Sequence, residues 1–274
     1  MNILSIQSTV ALGHVGNSAA VFPMQRLGHE VWPVKTVNFS NHTEYPTWRG
    51  PMLAASEIDA VITGIEEREV FPLIDACLSG YLGSPDTAEV IVNAARRVKE
   101  ANPDAVYICD PVIGNKERGS FVLSEIPDLL RDTVIPVADF IIPNQWELGL
   151  LVGRELSSIS ETIDAARHLH PRTIVTSCEA GDGKIGMLAV YPDEVWYVET
   201  PRMGGKTVGT GDLAAALFTA THREGPKAAL EHMAGTLFRM VEATVSGGLP
   251  EMPLIEKQEL IANPPLRFVA RLVD

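Results

Sequence analysis

The chain has 274 residues, 46% of them hydrophobic, and 22 basic against 35 acidic side chains give a net charge of −13. That length suits one large core, and an acidic balance with no Lys/Arg run excludes the basic footprint of a nucleic-acid binder. No apolar run reaches the roughly 18 residues of a membrane span. The opening Met1-Asn2-Ile3-Leu4 has no basic leader region, and Cys77, Cys109 and Cys178 lack metal-ligand spacing, so a reducing, cytoplasmic setting is expected.

In chain order, residues 2–8 read as a buried strand ending at Gln7-Ser8. A loop with Gly13 and Gly16 follows, then a helix from about Asn17 to Leu27, disturbed at Pro23. Val31–Val37 is a second strand, placed toward an edge by Pro33. Residues 38–51 are polar and aromatic without periodicity and read as a flap. Ser56 is a cap candidate for a helix to Glu66, with Ile58, Val61, Ile62 and Ile65 on one face. Ala76–Ser79 is a strand leading into Gly80-Tyr81. Ser84-Pro85 opens a helix to about Ala101. Val106–Cys109 is a strand delivering Asp110, and a short helix covers about 126–131. Residues 139–142 form a strand, and Pro143-Asn144 turns it into a helix carrying Glu147. Ser160 is a cap candidate for a helix to Leu169, followed by a strand over 173–176. A hairpin is expected over 185–200, and an edge strand over 268–272.

Between the hairpin and the last helices lies Val208-Gly209-Thr210-Gly211-Asp212, followed by the alanine-rich run to Thr221. Good helix formers after Gly211 indicate a buried helix. Free N–H groups at its start favour an anion, and a carboxylate there can take a proton from an alcohol. Taken alone, the stretch is equally a turn with an Asp cap. It is not a Walker loop, because no Lys-Ser/Thr follows the last glycine. Strands alternating with helices predict parallel βαβ units, whose ligands bind beyond the C-terminal strand ends. Ser8, Tyr81, Asp110, Asn144 and Thr176 all fall at or just past such ends. Neither linker nor repeat divides the chain, so residues 1–274 are expected to form one domain.

Ile6-Gln7-Ser8, Gly16-Asn17, Asn41-His42-Thr43, Ser79-Gly80-Tyr81, Asp110-Pro111-Val112, Pro143-Asn144-Gln145-Trp146-Glu147 and Gly209-Thr210-Gly211-Asp212 together resemble pyridoxal kinases of the ribokinase-like superfamily. The resemblance runs in order from Met1 to about Thr244. It implies a three-layer αβα sandwich with a mostly parallel central sheet and a flap over the substrate. It also implies ATP and Mg2+ as cofactors, a homodimer, and phosphorylation of the 5′-hydroxymethyl group of pyridoxal, pyridoxine or pyridoxamine. By the same resemblance Asp212 is the general base, and Gly209, Thr210 and Gly211 form the anion hole. Asp110 and Glu147 orient the metal, and Asn144 holds a phosphate or a metal-bound water while suiting a helix cap. Thr176, Ser177, Met203, Gly204 and Gly205 line the nucleotide, with Thr210 touching it as well. Ser8 and Thr43 hydrogen-bond the pyridine ring. Tyr81 packs on that ring or belongs to the core, and His42 contacts the substrate or braces the flap.

Four positions depart from the family. Asn115 and Ile142 weaken the case for a second, monovalent cation. Thr9 stands where His is frequent, and Ser120 replaces a cysteine able to form a thiol adduct with the aldehyde, so no such adduct is expected. A kinase of another heteroaromatic alcohol such as hydroxymethylpyrimidine, and a non-catalytic B6-vitamer binder, are the alternatives.

Overall fold

The structure, a computed structural model, describes residues 1–265 and 268–274. Its strands are β1 (Asn2–Leu12), β2 (Glu30–Asn41), β3 (Ala76–Ser79), β4 (Val106–Cys109), β5 (Gly114–Asn115), β6 (Gly119–Ser120), β7 (Phe140–Ile141), β8 (Thr173–Glu179), β9 (Lys184–Val190), β10 (Val195–Pro201) and β11 (Arg271–Leu272). The helices are α1 (Asn17–Arg26), α2 (Ala55–Glu66), α3 (Asp86–Ala101), α4 (Ile126–Leu129), α5 (Gln145–Leu151), α6 (Ile159–Leu169), α7 (Thr210–Thr221), α8 (Pro226–Ser246) and α9 (Glu259–Ala262).

Among the described residues, nine strands form one sheet in the order β11-β10-β9-β8-β7-β4-β3-β1-β2. Pairing is parallel from β2 through to β8 and antiparallel from β8 to β11. Alternating side chains bury both faces, as a sheet covered on two sides requires. Ile3, Leu78, Ile108 and Ile174 face a core with α1, α7 and α8. Leu4, Ile6, Cys77 and Tyr107 face α2 and α3, while Val175 and Leu188 face α5 and α6. The result is the expected three-layer αβα arrangement. Helix α7 is buried from Leu213 to Thr221, which explains a run apolar on every side. No helix among the described residues is long and apolar enough to cross a membrane.

Several local expectations shift. β1 continues four residues past Ser8, and β2 continues to Asn41, so the flap begins as strand. Its far limb returns antiparallel, with Asn38 N–H donating to Pro51 O (3.0 Å) and Ser40 N–H to Arg49 O (2.7 Å). Ser56 does not cap α2: the Glu57 carboxylate accepts the Ala54 N–H (2.8 Å) and starts the helix earlier. Val61 is exposed and only Ile58 and Ile62 are fully buried, because α2 buries a narrower stripe than its apolar content suggests. Ser158, not Ser160, caps α6, its hydroxyl accepting the Glu161 N–H at 3.2 Å.

Candidate active site

The anion loop and α7 begin at Gly209, whose φ of +80° is left-handed. A Cβ there would lie 1.8 Å from the His14 carbonyl oxygen, so the position has room only for glycine. The amides of Thr210, Gly211 and Asp212 open the helix and have no intrahelical acceptor. Asp212 is half-buried in this first turn. Burial pushes its pKa up to about 6, against the downward pull of the Gly16 N–H and its own N–H.

Asp110 follows β4 and Glu147 lies in the first turn of α5. Both are buried, and both interact electrostatically with Asp212 or with each other. Asn144 caps α5 reciprocally: its Oδ1 accepts the Glu147 N–H (2.9 Å), while the Glu147 carboxylate accepts the Asn144 N–H (2.9 Å). The other Glu147 oxygen accepts the N–H groups of Ile113 (2.9 Å) and Gly114 (3.1 Å), and Asn144 Nδ2 donates to Gly114 O (2.8 Å). Burial pushes Glu147 up to about 7 against the downward pull of those three N–H groups, with Asp212 adding to the rise. Asp110 sits well above the usual carboxylate range, chiefly from burial and then from the Glu147 and Asp212 charges. Asp110 thus lies at the C-terminal end of β4 under the influence of two negative charges, Glu147 and Asp212, though among the described residues no three such side chains come close enough together to hold a metal ion by themselves.

The residues expected to meet the vitamer come from β1, from the segment after β3 and from the flap. The register of β1 against β2 shifts at Ser8, because a bulge in β2 sets Thr36 and Val37 together opposite it. Gly16 (φ +53°) rests on it: a Cβ there would meet Ser8 Oγ at 2.2 Å. Ser8 is thus one residue-contact from Asp212, through Gly16. Tyr81 follows β3 and is half-buried. Thr43 is exposed on the flap, and His42 is buried, its Nε2 bonded to Glu251 Oε1 at 2.9 Å. His42 thereby braces the flap against Glu251.

The residues expected to line the nucleotide come from β8 and from the loop before α7. Thr176 bridges Asn144 between β7 and β8, its N–H bonded to Pro143 O at 3.0 Å. Ser177 is exposed at φ +56°, at the irregularity where β8 changes register against β9. Met203 is half-buried and Gly204 and Gly205 are exposed, in the loop between β10 and α7. Asn115 Oδ1 accepts the Arg118 N–H (3.0 Å) within the β5–β6 turn, Ser120 is exposed there, and the Thr9 hydroxyl is buried without a partner.

Sequence reasoning missed the residues that hold the flap down. Glu44 is largely buried and ion-paired to Arg118 of the β5–β6 turn and to Lys206 (2.8 Å) of the loop before α7. Glu251 receives His42, the Tyr45 hydroxyl and the His14 N–H. A lone glutamate in Leu249-Pro250-Glu251-Met252-Pro253 carries no periodicity that could have exposed partners some 200 positions away. The only cue was Gly13, on whose open face the Glu251 carboxylate lies.

Comparison with known proteins agrees with this geometry. Residues 56–233 match the family model described as Phosphomethylpyrimidine kinase. The chain is 53% identical to Pyridoxal kinase PdxY of Leifsonia xyli subsp. xyli over 100% of both chains. It is 52% identical to Pyridoxal kinase PdxY of Corynebacterium diphtheriae over 98% of each. Pyridoxal kinase from Leishmania donovani, solved in complex with ADP and pyridoxamine, superposes with a TM-score of 0.94 at 26% identity, covering 100% of this chain and 99% of that one. Full-length identity of this order means that the chain belongs to the pyridoxal kinase family.

Proposed function

We propose that this protein transfers the γ-phosphoryl group of ATP to the 5′-hydroxymethyl group of pyridoxal, and of pyridoxine and pyridoxamine, yielding the 5′-phosphates used in vitamin B6 salvage. The observation that carries the reading is the left-handed Gly209 opening α7 with Asp212 in its first turn, where the Asp212 charge bears on Asp110 and Glu147. Asp212 takes the hydroxyl proton as general base; a carboxylate raised to about 6 is ionised at neutral pH yet basic enough for the task. The amides of Gly209, Thr210 and Gly211 receive charge that develops on the transferred group.

Asp110 is a buried carboxylate raised by like charges, and hard carboxylate oxygen suits a divalent ion such as Mg2+. Asp110 would hold that ion. Glu147, whose oxygens accept three backbone N–H groups, would act on it through water while fixing the 113–114 turn. Mg2+, when bound, neutralises phosphate charge and templates the phosphates. Asn144, Thr176, Ser177, Met203, Gly204, Gly205 and Thr210 line the nucleotide. Ser8 and Thr43 orient the pyridine ring, Tyr81 packs beside it, and His42 braces the flap. One continuous sheet supports reading residues 1–274 as a single domain. A homodimer in the cytoplasm completes the proposal, and sedimentation tests the dimer.

The family model's description, Phosphomethylpyrimidine kinase, favours a second reading, a kinase of a substituted pyrimidine such as hydroxymethylpyrimidine. A coupled assay offering the three vitamers and hydroxymethylpyrimidine with Mg·ATP separates the two. Vitamer phosphates as the preferred products support the main reading. A preference for the pyrimidine, or vitamer binding without turnover, overturns it.

A further inference from the structure

Glu251 follows α8 in sequence, yet its side chain lies among three segments that are remote from one another. Its Oε1 accepts His42 Nε2 (2.9 Å) and the Tyr45 hydroxyl (2.9 Å), both from the flap. Its Oε2 accepts the His14 N–H (3.0 Å), from the loop after β1. The carboxylate is mostly shielded from solvent, at 13% exposure, and the His42 side chain at 9%. The backbone on either side is anchored, since Met252 and Leu254 are fully buried. A Cβ on Gly13 would strike the carboxylate at 2.6–2.7 Å, so the 13–14 loop is shaped around it. The His42 and Tyr45 rings lie 4.6 Å apart and close the flap side of the cluster.

The same loop continues to the reacting end of the cleft. The His14 carbonyl and Met252, the residue after Glu251, both crowd Gly209, the first residue of the expected anion loop, and the Gly16 N–H favours the charged form of Asp212. Glu251 therefore ties the flap, through a single carboxylate, to the 13–16 loop that packs against Gly209 at the start of the base-bearing helix. Thr43, the flap's expected ring contact, lies between His42 and Tyr45 in sequence, so its position relative to Asp212 depends on that tie. We propose that Glu251 is a positioning residue: it seats the flap, through His42 and Tyr45, at the distance from Asp212 that a B6 vitamer requires. It need not touch substrate or nucleotide.

This inference rests on the kinase reading, and its tests separate the two. Charge-assisted hydrogen bonds of this kind are each worth about tenfold. Glu251→Gln has an amide in place of one oxygen and so cannot accept from all three donors. It is expected to raise KM for pyridoxal about tenfold, with KM for ATP within twofold. Tyr45→Phe removes one donor and should raise the same KM by a smaller factor. The double variant should be no worse than Glu251→Gln alone, because both changes break one tie. Loosening the flap admits water, so vitamer-independent ATP hydrolysis should rise.

Equal changes in both KM values, additive effects in the double variant, or unaltered kinetics would overturn the assignment. If Glu251→Gln does not fold, the Tyr45→Phe split between the two KM values decides alone. Amide hydrogen exchange over residues 42–47 should quicken in either variant. That readout needs no turnover, so unchanged exchange refutes the tie even where the wild type proves inactive on pyridoxal.

Discussion

Replacing Asp212 by Asn should destroy catalysis and stabilise the fold in the same stroke. The native carboxyl titrates at about 6 against an ordinary value of 3.8. At 1.36 kcal/mol per tenfold, that gap corresponds to about 3 kcal/mol. The sign follows from proton binding. Between pH 4 and 6 the native state holds a proton that the unfolded chain has released, so stability falls as pH rises across that window. Above pH 6 the cost of the buried charge is fully present, and below 3.8 it vanishes because both states are protonated. Asparagine carries no charge, and its amide oxygen can still accept the Gly16 N–H. Urea unfolding at pH 8 should thus show the variant more stable by up to about 3 kcal/mol, the gain shrinking at pH 5. In the coupled assay kcat should fall by roughly 10²–10⁴-fold, the usual worth of a general base. An unchanged kcat would refute the base assignment. A stability gain of equal size at pH 5 and pH 8 would refute the claim that the buried charge is the cause.

Other outcomes follow from the same geometry. For the wild type, kcat/KM should rise with pH through about 6 as Asp212 loses its proton, and a profile flat between pH 5 and 7 would contradict this. Glu147→Gln turns an N–H2 group toward backbone donors, so the melting temperature should drop by several degrees and the Mg2+ needed for half-maximal rate should rise; thermal melts and a metal titration check both. Gly209→Ala places a methyl group 1.8 Å from the His14 carbonyl, and should cost at least about a hundredfold in kcat through a displaced anion loop; a rate near wild type would show the loop is not the anion site. Ser8→Ala should raise KM for pyridoxal several-fold while leaving KM for ATP alone, measured by varying each substrate at saturation of the other.

What the sequence made legible was whatever depends on neighbours along the chain. Buried strands such as Ala76–Ser79 and Val106–Cys109 appear within their expected limits, because a short apolar run needs no distant partner to be recognised. Asn144 capping Glu147 was readable from a three-residue spacing. The rim containing Asp110 and Asn144 followed from the topology of parallel sheets. Helix starts were less secure where two candidates competed: Glu57 reaching back to Ala54 defeated Ser56, and Ser158 preceded Ser160. The bulge opposite Ser8 was hidden because it arises from β2's register rather than from any residue in β1. The ties of Glu44 and Glu251 lay beyond reach for the same reason: isolated charges in aperiodic loops acquire partners only once the sheet has brought the loops together.

Glu251 and β11 both come after every other element of the sheet and site in the order of synthesis. A nascent chain that has emerged only as far as α8 already owns Asp110, Glu147, the anion loop and the base. It still lacks the carboxylate that receives His42 and Tyr45, and the strand that covers Trp196 and Tyr197 on β10. Truncation shortly after Ser246 would accordingly leave the chemical groups in place on a scaffold with its cover untethered. The segment that follows α8 thus supplies both the flap's tether and the edge strand, while the groups expected to do the chemistry all precede it.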